Sequence, residues 1–415
     1  MEDVLSVAAH PVPSAHRPRS WPRAREAARE FAATRAHGGD RPDAARVPLD
    51  LALGAALADD LVSPVAVPAC DSAAMDGYAV AGAGPWRVVG RALAGDRRAV
   101  PALLPGQALE IATGAAVPAG AEAVLPYEDA GRVEGGTVIG GVRPGRHIRR
   151  RGEAVPAGAT VAPAGAVVTP ALLGLAAGLG HDTLRVRRPR VAALVTGDEV
   201  VASGRPGPAA VRDAIGPVLP GLVAWAGGTL VTRRHVPDGL DPLLAALRAV
   251  AHDPGTEVVA VCGASSVGPA DHLRTALAEL GARPVVDGVA CRPGHPQMLA
   301  ALTGGPIVVG LPGNPNAALV AALTLLVPAL AALAGRADPA HAGRRARLLG
   351  DVAAHPLDTR LVGVRVHGDG AAPVGHAGSA TLRGSALADA LAVIPPRAEG
   401  GGGSAHPVEL VELPR

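Results

Sequence analysis

The chain has 415 residues, 48% of them hydrophobic, 18% charged and only 1% aromatic, with a formal charge of +2. That length fits roughly three domains, the apolar content excludes a disordered chain, and the near-neutral balance with few aromatics argues against nucleic acid as a partner. No lysine occurs, so every fixed cation is arginine and Schiff-base chemistry is excluded. Cys70, Cys262 and Cys291 stand apart with no CxxC pair, which indicates neither a disulfide framework nor a zinc knuckle and suits the cytoplasm. Glu2 and Asp3, with no long apolar core after them, do not read as a secretory signal.

In chain order, residues 1–19 are rich in Pro, His and Arg and read as a disordered lead. A helix is expected from Ser20, with Ser20 as cap and Pro22 in the first turn. A second is expected over Leu49–Leu57 and a third over the apolar run that closes on Gly180. Together, residues 20–64 and 156–188 form an expected helical linker region. Between them, residues 65–155 carry short apolar runs separated by Gly and Pro, the texture of an inserted β domain. Strands then alternate with helices over residues 189–336, as in a doubly wound parallel α/β domain. Residues 338–415 return to short strands and read as a β-barrel or sandwich. The uncharged run Asn316–Gly335 is long enough to span a membrane, but Pro328 interrupts it and a catalytic-looking loop precedes it, so a helix buried against the sheet is expected.

Three strand ends in the α/β stretch carry the chemistry. Ile307–Leu319 reads IVVGLPGNPNAAL, a strand that breaks into Pro312, Gly313, Asn314 and Pro315 and then into a helix. Arg190–Val201 delivers Thr196, Gly197, Asp198 and Glu199 at its tip, and Glu257–Leu277 gives way to a Gly/Ser loop before a helix near Asp271. Ligands of open α/β sheets lie beyond the carboxyl ends of the strands, where backbone N–H groups and helix N-termini hold anions. Small residues paired with acids at three such ends point to a shared anion and metal site. None of the loops spells GxGxxG, so a dinucleotide-dependent oxidoreductase is a poor alternative.

Eight segments together resemble the molybdopterin molybdotransferase family, the MoeA type that includes the gephyrin C-terminal domain. They are DSAAMDGYAV at Asp71–Val80, ATGAAVPAGAEAVLPYED at Ala112–Asp129, HIRRRGEAVPAGATV at His147–Val161, TGDE at Thr196, SSVGPAD at Ser265–Asp271, RPGHP at Arg292–Pro296, LPGNP at Leu311–Pro315 and GHAGS at Gly375–Ser379. The resemblance covers nearly the whole chain. It implies insertion of molybdate into adenylylated molybdopterin with release of AMP. It also implies Mg²⁺ on Glu199, Asp213 and Asp271, hard oxygen ligands that suit this ion; for Asp271 a helix cap or a solvated acid is the alternative. Gly263, Ser265, Ser266 and Gly268 would approach phosphates. Gly313 and Asn314 would line the pterin or nucleotide site, Pro312, Pro315 and Ser379 would bind substrate, and Arg292 and His295 would neutralise the anion. Asp71, Asp76 and Thr113 would come from a second subunit, which makes a homodimer the complete unit. Arg149, Arg150 and Arg151 read as solvated charge or as substrate contacts. Other proteins of molybdenum cofactor synthesis are further possible partners.

The chain departs from the family's pattern in its site loops. The amide after Asp213 gives way to Ala214-Ile215-Gly216, the GGVSVG loop reads GASSVG, the carboxylate of RRRGED becomes Ala154, and the lysines of KPGKP become Arg292 and His295. Ala264 adds a methyl where a positive φ or a close approach of phosphate is expected. Arginine keeps the charge with a different geometry, whereas histidine carries it only in part near neutrality. A weakened enzyme and a cofactor-binding scaffold paralogue are the two classes these changes leave open, the enzyme being the preferred one.

Overall fold

The computed structural model describes residues 18–37, 44–96, 101–133, 135–265, 271–376, 378–399 and 407–414. The sequence-derived lead up to residue 17, together with Ser266 and Gly268, lies outside them.

At the centre stands a six-stranded sheet in the order Thr229–Val236, Arg190–Thr196, Val258–Cys262, Ile307–Leu311, Met298–Ala301, Arg283–Asp287. The first four strands are parallel. Val258–Cys262 and Ile307–Leu311 are buried at every residue, as their continuous apolar runs require of strands covered on both faces. Leu240–Ala251 and Leu273–Glu279 cover one face. Leu219–Trp225 and the helix Pro315–Ala334 cover the other. The doubly wound reading therefore holds, with one refinement: Met298–Ala301 runs antiparallel between its neighbours, because no helix separates it from the preceding strand to bring the chain back in parallel.

Pro315–Ala334 is apolar enough to cross a membrane, yet 89% of its most apolar window is buried inside the protein. It is a core helix. It widens into a π turn over Ala322–Leu326, just before Pro328. In that register the Leu323 carbonyl would accept from residue 328, which as proline has no N–H to give. The buried Arg25 guanidinium donates to that carbonyl instead. Trp21 Nε1 donates to Thr324 Oγ1 at 3.1 Å, and Arg25 also pairs with Asp338. Ala24, Ala28, Ala32 and Ala36, spaced by four and all buried, let the helix Trp21–His37 lie close along this element. The N-terminal helix, grouped by sequence with residues 156–188, thus packs on the α/β layer. Its Ser20 belongs to a two-residue strand beside Val289 and Ala290.

In the linker, helix covers only Leu49–Ala52, and Gly54 with φ 78° turns the chain into the strand Ala56–Leu57. The expected helix before Gly180 is Pro170–Gly178, with Thr169 Oγ1 accepting from the Leu172 N–H at 3.2 Å. Six strands from Gly77–Val80 to Thr137–Ile139 make the β domain. At the C-terminus, Thr359–His367 pairs with Gly370–Pro373 on one side and Ala390–Ile394 on the other, closing a five-stranded barrel. The strand Val289–Arg292 pairs in parallel with Thr359–His367, Arg292 beside Arg360. That pairing joins the RPGHP turn of the α/β domain to the barrel.

Candidate functional site

The parallel register sets Val195 beside Cys262 and Cys262 beside Leu311, so three strands end together. The loops that follow enclose a cleft of about 600 Å³. Its floor is backbone. A side chain at Gly263 (φ 95°) would place its Cβ 2.4 Å from Thr196 Oγ1, so only glycine lets these two loops meet. The next residue, Ala264, lines the cleft at φ 54°, the left-handed conformation that its departure from glycine makes costly.

Glu199, Asp213 and Asp271 all line this cleft, and so do Gly313, Asn314 and Pro315. Asp213 Oδ1 accepts from the Ile215 and Gly216 N–H groups at 3.0 and 2.8 Å, which fixes the carboxylate through the segment where the family's amide is lost. Asp238 adds a further acid; its backbone N–H and that of Asp198 exchange hydrogen bonds with each other's carboxylates. Among the described residues no three His, Cys, Asp or Glu side chains converge as a ligand set for one ion. The oxygen donors suit a hard cation, and the shell they offer is a partial one. Burial, with Asp213 nearby, pushes the Cys262 thiol up to about 12, so it stays protonated and takes no part as a thiolate.

A second cleft, of about 410 Å³, opens on the other side of the LPGNP loop. Asn314 lines both. Arg292, His295, Pro312 and Ser379 line the second, and the barrel adds Arg360. Arg292 Nε donates to Asp358 Oδ2 at 2.7 Å while its side chain stays 60% exposed. Arg360 Nη1 donates to the Ala353 carbonyl. The barrel loop is fastened to the helix start by Asn316: its backbone N–H donates to the Ser379 carbonyl, its amide donates to the Gly378 carbonyl, and its Oδ1 accepts from Ser385 Oγ.

The remaining expected residues lie elsewhere. Ser265 is 1% exposed and lines neither cleft; its hydroxyl donates to the Pro296 carbonyl at 2.7 Å. Asp71, Asp76 and Thr113 belong to the β domain and line neither cleft. Asp71 accepts from Arg150 Nη1 at 2.6 Å and from the Arg151 N–H at 2.9 Å; the backbone bond first, then the arginine, holds its carboxyl below the usual range. Asp76 Oδ1 accepts from the Thr113 N–H and hydroxyl at 2.6 and 2.9 Å, with the same effect. Arg150, open between solvated charge and substrate contact by sequence, holds Asp71. Sequence reasoning missed Arg360, Asp238 and Asn316. Arg360 sits in an ordinary alternating strand, RLVGVRV, with no motif to mark it.

Three family models match in succession: the MoeA N-terminal region (domain I and II) over residues 20–180, a probable molybdopterin binding domain over 192–332, and the MoeA C-terminal region (domain IV) over 345–408. A molybdopterin molybdenumtransferase 2 of Mycobacterium tuberculosis is 36% identical over 319 residues, 73% of this chain and 78% of that protein. A molybdopterin molybdenumtransferase of Synechococcus elongatus is 35% identical over 69% of this chain and 75% of its own length. The crystal structure of a molybdopterin biosynthesis moeA protein from Pyrococcus horikosii superposes with a TM-score of 0.75 at 26% identity, covering 95% of this chain and 99% of that one. With these matches running along the fold just described, the chain belongs to the molybdopterin molybdenumtransferase family.

Proposed function

We propose that this chain inserts molybdate into adenylylated molybdopterin and releases AMP, using the two clefts on either side of Asn314. The observation that carries this reading is their opposite charge balance: the first is lined by Glu199, Asp213, Asp238 and Asp271 against one arginine, Arg212, and the second by Arg292 and Arg360 with no acid in its lining. A phosphoanhydride and an oxyanion repel each other, so a catalyst that joins them needs separate and adjoining means of neutralising each. In the first cleft one or two of Glu199, Asp213 and Asp271 would hold Mg²⁺ together with substrate phosphate, since Mg²⁺ commonly takes one or two carboxylates and completes its shell with phosphate and water. Bound there, the ion would polarise the phosphoryl oxygens of the anhydride. The glycine-floored loops let the phosphates approach the backbone, and the N-terminus of the helix Pro315–Ala334 adds its positive end. In the second cleft Arg292 and Arg360, with His295 and Ser379, would take molybdate.

The unit that acts is a homodimer on this reading. The helix Pro170–Gly178 is apolar on all sides yet buries only Ala176, with Leu175 37% exposed. On the segment packed beside it, Leu51 and Leu53 are 60% and 50% exposed. Such a face calls for a partner, and a second copy would also bring Asp71, Asp76 and Thr113 to the clefts. Three free thiols suit a reducing cytoplasm. Complementation of a strain lacking its molybdotransferase, scored by nitrate reductase activity, tests the function. Rescue supports it, and failure of a well-expressed chain to rescue rejects it. Light scattering showing only monomer at micromolar concentration would reject the dimer.

A further inference from the structure

The turn that carries Arg292 and His295 is held from behind by two buried polar side chains. Gln297 is wholly buried, and its Nε2 donates to the Gly294 carbonyl at 2.7 Å and to Cys291 Sγ at 3.3 Å. Its Oε1 has no hydrogen-bond partner among the described residues. A buried amide kept with one half unsatisfied is costly, so the bonds made by its other half are the reason to look for a role. From the opposite side Ser265 donates to the Pro296 carbonyl. Against the helix, Gly294 (φ 104°) packs so closely that an added Cβ would lie 3.2 Å from the Ala317 carbonyl oxygen. The turn is therefore pinned at Cys291, Gly294 and Pro296, and its basic members, Arg292 and His295, line the second cleft.

We infer that Gln297 and Ser265 form a buried clamp that positions Arg292 and His295 for oxyanion binding; this rests on reading the second cleft as the molybdate cleft. Both are positioning residues, touching no substrate themselves. A fixed pair of anion-binding side chains holds a small anion better than a mobile pair, because no ordering is left to do on binding.

The test uses the full chain, with titration calorimetry of molybdate and of adenylylated molybdopterin alongside steady-state AMP release. Gln297→Met, close in volume, and Ser265→Val should each weaken molybdate binding and raise its KM by about tenfold, less than the hundredfold that a 1 Å misplacement can cause. Affinity for adenylylated molybdopterin and kcat should stay within about twofold. Circular dichroism melting reports whether the variants fold. If Gln297→Met does not, Gln297→Asn, which keeps the amide one methylene short, carries the same expectation. Molybdate affinity unchanged in the folded clamp variants, or equal loss for both substrates, overturns the clamp. Arg360→Ala separates the two levels. If it weakens molybdate binding while the clamp variants do not, only the clamp falls; if it leaves molybdate binding unchanged, the reading of the cleft falls with it.

Discussion

The two clefts share Asn314 and are built in different ways. The first is made where three neighbouring strands end, from short loops whose glycines and acids follow one another in the chain. The second is made where a turn of the α/β domain meets a barrel some seventy residues later, and its walls are set by contacts such as Arg292 with Asp358 and Asn316 with Ser379. A site whose acids and glycines fall in short runs at strand ends is open to inspection in a sequence. A site made of distant residues needs the fold. Perturbing the two should accordingly have separable effects, on chemistry in the first and on oxyanion affinity in the second.

The largest effect is expected at Asp271. Asp271→Asn is nearly isosteric and removes one of the cleft's carboxylate charges, so kcat for AMP release should fall on the order of a hundredfold or more with the melting temperature preserved. Unchanged turnover at saturating Mg²⁺ would show that this carboxylate is not a ligand. Arg360→Ala comes next. Losing a charge-assisted contact of about 1.5–3 kcal/mol should raise the molybdate KM roughly ten- to hundredfold and leave the adenylylated molybdopterin KM in place. An equal rise in both would erase the division between the clefts.

Smaller effects belong to the loops themselves. Ala264→Gly should relieve the left-handed backbone at φ 54° and stabilise the protein by about 0.5–1 kcal/mol, read as a higher midpoint in urea. A lower midpoint would mean that the methyl contributes packing that outweighs the strain. Smallest is the acid dependence of the β domain. Asp76 has its carboxyl held below the ordinary range by the Thr113 N–H and hydroxyl, so it contributes stability that is present above the unfolded-state value of about 3.9 and is lost as pH falls through the folded one. Asp76→Asn should leave a shallower acid-side decline below about pH 4; an identical decline would place the acid sensitivity elsewhere.

What could be read in advance follows the same division. The apolar runs VVAVC and IVVGL announce buried parallel strands, and Glu199, Asp213, Asp271, Gly263, Gly313 and Asn314 come together as their motifs imply. Of the two demands on the backbone at Ala264, a positive φ or a close phosphate, the positive φ is present. Ser265, by contrast, reads as a phosphate contact because serine in a Gly-rich loop commonly is one, whereas burial turns its hydroxyl to the Pro296 carbonyl. The helix Trp21–His37 reads as part of a linker because alanines spaced by four give little contrast between its faces. The spare Leu323 carbonyl of the π turn, together with Asp338, gives the buried Arg25 its partners. Arg360 carries no motif, since the turn it faces lies some seventy residues earlier, and Gln297 none, because its bonds to the Gly294 carbonyl and Cys291 Sγ exist only once the turn is folded back on itself.

The most direct measurement is AMP release from adenylylated molybdopterin as a function of molybdate concentration, with Mg²⁺ present, for the native chain, Asp271→Asn and Arg360→Ala. The two-cleft account expects molybdate-dependent release by the native chain, almost none by Asp271→Asn at any molybdate concentration, and recovery of Arg360→Ala as molybdate is raised. No release by the native chain, or a molybdate dependence that Arg360→Ala does not move, would contradict it.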